Sequence, residues 1–205
     1  MDANTAPAAS LAERKRELVR GELTDAAVKL LATQGFEETT VDQIAAAVGM
    51  SRRTFSRYFE SKEDVLVHML AEAGAALCGE LRARPDDEPL PAAVRHALTT
   101  LTCLGVENPG KTLLVSRLIL STPALLARYL ERQSHWQQGM TAILAERTGL
   151  DPATDLRPTL AAGTALTAFN AALRRWVDSE GTLNLDEVVD QAFAIIAPVI
   201  ASAAA

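Results

Sequence analysis

The stretch from Thr40 to Phe59 constrains this chain most, because its two short apolar segments can be folded in few ways. Thr40-Val41-Asp42-Gln43 has the form of a capping box, in which the threonine hydroxyl accepts from a free backbone N–H and the glutamine side chain reaches back. The short helix it opens puts Val41, Ile44, Ala45 and Val48 on one face, and Gly49 closes it. Ser51 then caps a second short helix carrying Phe55, Tyr58 and Phe59. Helices this short are marginal in water by themselves, so they have to pack on each other and on the helix before them. Ala45 is small where steeply crossing helices come closest, and Gly49 takes a left-handed turn without the penalty of a Cβ. With Ile44, Val48, Met50, Phe55 and Tyr58 as a shared core, the pattern is that of a helix-turn-helix.

The rest of the chain reads as helix. Its 205 residues are 48% hydrophobic but only 4% aromatic, so the core has to be built from Leu, Ala, Val and Ile, and the abundance of alanine and leucine favours helix. The expected class is all-α with about nine helices: an N-terminal three-helix helix-turn-helix domain, then a helical ligand-binding and dimerisation domain. Residues 1–10 read as a disordered tail, 11–60 as the helix-turn-helix domain, 61–84 as a connecting helix and 85–205 as the second domain. Arg84-Pro85-Asp86-Asp87-Glu88-Pro89 is a loop between them, and helical patterns follow over 90–105, 109–120, 123–148, 155–180 and 185–202. Asn108-Pro109 and Thr122-Pro123 each place a capping side chain before a proline at the first helical position, while Gly149 and Gly181 mark stops.

Several classes of protein are disfavoured. Cys78 and Cys103 lie far apart with no CxxC, which suits buried small hydrophobes in a reducing compartment. The N-terminus has no apolar run of the signal-peptide kind, and the apolar stretch from Ala192 to Ala205 is interrupted by Pro198 and Ser202. That stretch is too short for a bilayer core of ~30 Å, so a cytoplasmic location without membrane contact is expected. His68, His96 and His135 are isolated, with no metal-ligand spacing among them, and no GxSxG, Walker loop or GxGxxG occurs. Neither an enzyme, a metal site nor a cofactor is expected.

A net charge of −6 argues against a protein that coats nucleic acid indiscriminately. Local charge points elsewhere: Arg14, Lys15, Arg16 and Arg20 form one basic cluster, and Arg52, Arg53, Arg57 and Lys62 another. The second short helix would present Arg52, Arg53, Thr54, Ser56 and Arg57 outward, as a helix entering a major groove does. Arg52 and Arg53 are expected at base edges, with Thr54 adding a contact, while Thr40, Tyr58 and Lys62 are expected on phosphates. Which arginine reads a base is left open. Residues 18–70, and above all Thr39-Thr40-Val41-Asp42-Gln43-Ile44-Ala45, Gly49-Met50-Ser51-Arg52-Arg53-Thr54-Phe55 and Tyr58-Phe59-Glu60-Ser61-Lys62-Glu63-Asp64, closely resemble the DNA-binding domain of the tetracycline-repressor (TetR) family. The resemblance implies a dimeric, all-helical transcriptional regulator, usually a repressor released from its operator by a small molecule. Ser56 departs from it, since an aromatic residue reaching the DNA backbone is frequent there.

The second domain should hold effector and dimer interface. On the helix beginning at Pro123, Leu126, Tyr129, Gln133, Trp136, Met140 and Ile143 share a face at spacings of three and four, and Thr167, Phe169 and Asn170 lie in an otherwise apolar run. Apolar lining with a few polar groups suits a small-molecule site, so Leu126, Tyr129, Gln133, Trp136, Met140, Thr167, Phe169 and Asn170 are expected to line a pocket for a small hydrophobic effector. Residues 124–150 and 171–196 resemble a branch described as binding acyl-coenzyme-A-like ligands, which implies an acyl-CoA or fatty acid. The last two helices are apolar over most of their circumference and so need a second partner. Leu166, Leu185, Val189, Phe193, Ile196 and Ile200 are expected at a homodimer interface built as a four-helix bundle. The alternative is a helical adaptor or architectural protein with no small-molecule effector, which a salt-dependent gel shift separates from a DNA-binding regulator.

Overall fold

The computed structural model describes residues 10–107 and 109–204, with backbone alone for residues 103–107, 109 and 204. The described residues form nine α-helices and a final 3₁₀ turn, Ser202–Ala204, with no strand among them. They divide into two compact units, up to Leu66 and from Val67 onward. Of the tail expected over residues 1–10, residues 1–9 lie outside the described residues, as do the cap at Asn108 and the side chain of Cys103. Ser10 belongs to the first helix: its hydroxyl accepts from the N–H of Glu13 at 3.2 Å and its own N–H donates to the Glu13 carboxylate at 2.7 Å.

The first unit contains α1 (Leu11–Gln34), α2 (Val41–Ala47), α3 (Arg52–Phe55) and the start of α4 (Lys62–Ala83). Each start is capped as the residue types require. Thr40 and Gln43 close the expected capping box on α2, and the Ser51 hydroxyl accepts from the N–H of Thr54 at the head of α3. Leu23, Ala27, Val28 and Leu31 of α1 are buried, as are Ile44, Ala45, Phe55 and Phe59, so the two short helices are held by a shared apolar centre. Gly35 and Gly49 have φ of 91° and 70°, a region costly for residues with a Cβ, and each ends the helix before it.

In the second unit the remainder of α4 is followed by α5 (Leu90–Glu107), α6 (Pro109–Ser121), α7 (Pro123–Thr148), α8 (Arg157–Asp178) and α9 (Leu185–Ala201). α8 packs along α9 and against α7, and α5 lies on α9. Gly149 ends α7 in the left-handed conformation, with φ of 68°. Thr122 precedes Pro123 as expected but makes no side-chain cap, so the proline alone marks that start. The loop 85–89 is anchored: the Arg147 guanidinium donates to the carbonyls of Arg84 at 2.9 Å and Pro85 at 2.7 Å, satisfying groups left over at the end of α4. On α5, Arg95 donates to Asp186 at 2.6 Å and to Asp190 at 2.7 Å, both on α9. Among the described residues, no single helix is long and apolar enough to cross a membrane.

Candidate nucleic-acid interface and effector site

The turn between α2 and α3 aims the basic cluster. The N–H of Met50 donates to the carbonyl of Ala45 at 2.8 Å, which folds the chain back after Gly49, and Ser51 restarts the helix at once. Phe55 is fully buried and stacks at a tilt on Phe59, with ring centroids 5.7 Å apart. One helical turn around from that anchor, Arg52, Arg53, Ser56 and Arg57 are exposed, while Thr54 and Tyr58 are half-buried. The Ser56 hydroxyl donates to the carbonyl of Arg52 at 3.1 Å. Arg52 donates through Nη1 to Asp42 Oδ2 at 3.1 Å, a partner the sequence reading did not name, whereas Arg53 has none among the described residues.

Thr40 is exposed beside this cluster, and its hydroxyl oxygen accepts the N–H of Gln43. Lys62 is engaged within the protein. Its ammonium does not stand free for a phosphate but donates to the carbonyl oxygens of Phe36 and Thr39 and sits 4.2 Å from the centre of the Phe36 ring. Loop 35–39 leaves those carbonyls without helical partners, and the nearest flexible cation satisfies them. Lys62→Ala should therefore destabilise the first unit by about 1–3 kcal/mol, the penalty for stranding such groups. The salt dependence of DNA binding should not change. A phosphate contact would instead lower its slope by about one, so thermal melts and salt titrations of the one variant separate the two roles.

In the second unit the expected pocket residues are tightly assembled. The Tyr129 hydroxyl donates to Asn170 Oδ1 at 2.7 Å; Gln133 and Asn170 exchange amide hydrogen bonds of 2.5 and 2.9 Å. The Tyr129 ring meets Trp136 edge-on, with centroids 6.1 Å apart. Burial pushes the Tyr129 phenol well above its ordinary pKa, and the Gln133 hydrogen bond and the charge of Arg174 only partly oppose it. Trp136 is buried, and its indole N–H has no hydrogen-bond partner among the described residues. Met140 and Phe169 complete the apolar surroundings.

Two expected residues fall elsewhere. Leu126 is only half-buried because Leu125 takes the inward position. Thr167 is exposed, with its hydroxyl donating to the carbonyl of Gly163 at 2.9 Å; the helical period turns it away from Leu166 and Phe169. A cavity of about 370 Å³ opens between α6 and the end of α8, lined by Arg117, Leu120, Arg174, Val177 and Asp178 among others, and by none of the eight expected residues.

The expected dimer residues lie mostly inside the protomer. Leu166, Leu185, Val189, Phe193 and Ile200 are buried within the protomer, and Ile196 is half-buried, so that stripe is spent on the unit's own core. The apolar surface that remains is its flank. Leu160, Ile195 and Val199 are 56%, 79% and 47% exposed, a costly display for a helix face with nothing on it. Along α8 the outer positions Leu160, Thr164, Thr167 and Ala171 recur at spacings of four, three and four; three are exposed and Thr164 is half-buried. Apolar residues on nearly every side of these helices hid which stripe faced where.

Two short capped helices presenting exposed guanidinium groups, followed by a separate helical domain with a polar cluster in its core, define a helix-turn-helix regulator of transcription. The description "Bacterial regulatory proteins, tetR family" matches residues 23–69, and the description "MftR C-terminal domain" matches residues 88–201. The chain belongs to the TetR family of DNA-binding transcriptional regulators. It is 35% identical to the transcriptional regulator TcmR of Streptomyces glaucescens over 172 residues, spanning 81% of this chain and 76% of TcmR. To MftR of Mycobacterium tuberculosis, named for mycofactocin biosynthesis, it is 30% identical over 190 residues, 93% of this chain and 95% of that one. Its fold is similar to that of FadR from Bacillus subtilis in complex with stearoyl-CoA, with a TM-score of 0.66 at 17% identity over 88% of this chain and 98% of that one.

Proposed function

We propose that this regulator is a homodimeric repressor, acting in the cytoplasm, that leaves its operator when a fatty acyl-CoA or a related hydrophobic molecule enters the second unit. The observation that carries the reading is the polar group of buried Tyr129 and Gln133 with half-buried Asn170, set against apolar residues beside an indole N–H without a partner among the described residues. A core built only for stability gains little from such a network, since an apolar core of the same shape serves as well. A ligand carbonyl could accept from that indole N–H, a buried donor that lacks an acceptor among the described residues. The FadR proteins of Bacillus subtilis and Thermus thermophilus, similar in fold, have been solved with stearoyl-CoA and lauroyl-CoA.

Tyr129 and Gln133 are buried where α7 meets α8, so a ligand that reaches them has to displace side chains there. Bound and free conformations then differ, as release of DNA requires: an effector shifts the equilibrium only by its differential affinity for the two states. One helix-turn-helix touches too little DNA for useful specificity, so two copies are needed, and the outward stripe of Leu160, Ile195 and Val199 is the surface on which a second copy would sit.

The test is operator release. With DNA from upstream of its own gene, stearoyl-CoA, free fatty acids and hydrophobic drugs are screened for thermal stabilisation and for loss of DNA binding. An active compound should lose its effect, by about tenfold or more, on Tyr129→Phe with Gln133→Leu, while operator affinity in its absence holds. If no compound acts, a repressor without an effector is the better reading.

A further inference from the structure

The ion pair between Arg52 and Asp42 bridges α2 and α3 on the exposed surface of the helix-turn-helix. Asp42 is in the first turn of α2 and Arg52 opens α3, ten residues later; their side chains are 63% and 68% exposed. A pair so exposed adds little to stability. It also carries a cost in function, because a carboxylate on a surface that approaches phosphates repels them. Only one of the guanidinium's five N–H donors is engaged, so the fork that could reach a base is still free.

We propose that Asp42 is a specificity-determining residue of the DNA-reading surface: it holds the Arg52 guanidinium across the α2–α3 turn and directs it to a guanine edge rather than to a phosphate. This rests on the proposed reading of DNA by α3. Three consequences follow from the geometry. A long side chain already restrained by Asp42 loses less freedom when it meets a base. The pair is neutral as a unit, so Arg52 releases few counterions and adds little to binding of arbitrary sequence. A guanine offers two acceptors, O6 and N7, matched to the arginine fork, whereas a phosphate beside Asp42 brings a second negative charge to it. Arg53, with no carboxylate on it among the described residues, is left to supply the sequence-independent attraction.

The experiment selects binding sequences for the full-length protein from a randomised double-stranded DNA library, then titrates a selected and an unselected duplex against salt. The wild-type protein should require guanine at one position of each half-site. Asp42→Ala should lose that requirement by about tenfold or more at the same position as Arg52→Lys, and the double variant should lose no more than either. Asp42→Ala should also bind unselected DNA several-fold more tightly, with a salt slope steeper by about 0.9, as Arg52 moves to a phosphate. Asp42→Ser is taken through the same selection, since serine suits the first turn of a helix and keeps the test alive if the alanine variant unfolds. Unchanged base preference at every position in a folded Asp42 variant overturns the proposal and leaves Asp42 as a helix-start residue alone. A wild-type selection that enriches no sequence overturns both this proposal and the reading of DNA by α3.

Discussion

An aspartate at Ile195 is expected to hold the protein as a monomer at micromolar concentration and to weaken binding to a two-half-site operator at least a hundredfold. Ile195 is the most exposed large apolar residue of α9, with Val199 one turn along and Leu160 also displayed from α8. If a second copy covers that flank, a carboxylate there is buried without a partner. Even about 3 kcal/mol of such a penalty is a factor of more than a hundred in association. Binding to an isolated half-site should be unaffected, because the helix-turn-helix belongs to the other unit. The companion variant is Phe193→Asp. Phe193 is 5% exposed within the protomer, so a charge there should unfold the second unit instead of yielding a soluble monomer. Sedimentation and circular dichroism on the pair locate the interface, and an Ile195→Asp protein that stays dimeric refutes this one.

Gly74→Ala is expected to destabilise the protein, against what helix propensity alone would give. In an open helix the exchange gains about 1 kcal/mol. Here a Cβ on Gly74 would lie 2.0 Å from Trp136 Nε1 and 2.2 Å from its Cδ1, so the whole indole has to move. Overfilling a packed core costs about 1–3 kcal/mol and occasionally more; the net should be a lower melting temperature and a changed near-ultraviolet signal from Trp136. Trp136→Ala removes the atoms that clash, so Gly74→Ala should cost little further stability in that background. Trp136→Ala alone should cost about 3–5 kcal/mol. If Gly74→Ala proves more stable than the parent, the indole is not held against α4 as described. The effector screen on Gly74→Ala is informative as well, because the same displacement disturbs the indole N–H, which is buried without a partner among the described residues.

How far the sequence could be read depends on whether each feature is local. Capping residues act within three positions of themselves, so the starts of α2 and α3 at Thr40 and Ser51 could be read from residue type. The closures at Gly35, Gly49 and Gly149 could be read because a positive φ has few tenants. The clusters of Arg52, Arg53 and Arg57 and of Tyr129, Gln133 and Trp136 were legible because helical spacing brings side chains to one face.

Partners distant in sequence were not legible. Lys62 reads as a free cation at a helix start, and only the path of loop 35–39 gives it the carbonyls of Phe36 and Thr39. Arg95 carries no mark of its bridge to Asp186 and Asp190, some ninety residues on. Gly74 looks like a weak point in a helix until Trp136 is set against it. In α8 and α9, alanine, leucine, valine and isoleucine surround the helix, so the pattern says that two surfaces must be covered and not which stripe covers which. By itself the sequence determined the helices, their ends, the helix-turn-helix and the family. Which apolar stripe is core and which is outer face, and which cations are already paired, were decided by tertiary packing, because those outcomes depend on what the chain brings alongside from far away rather than on any residue's own preference.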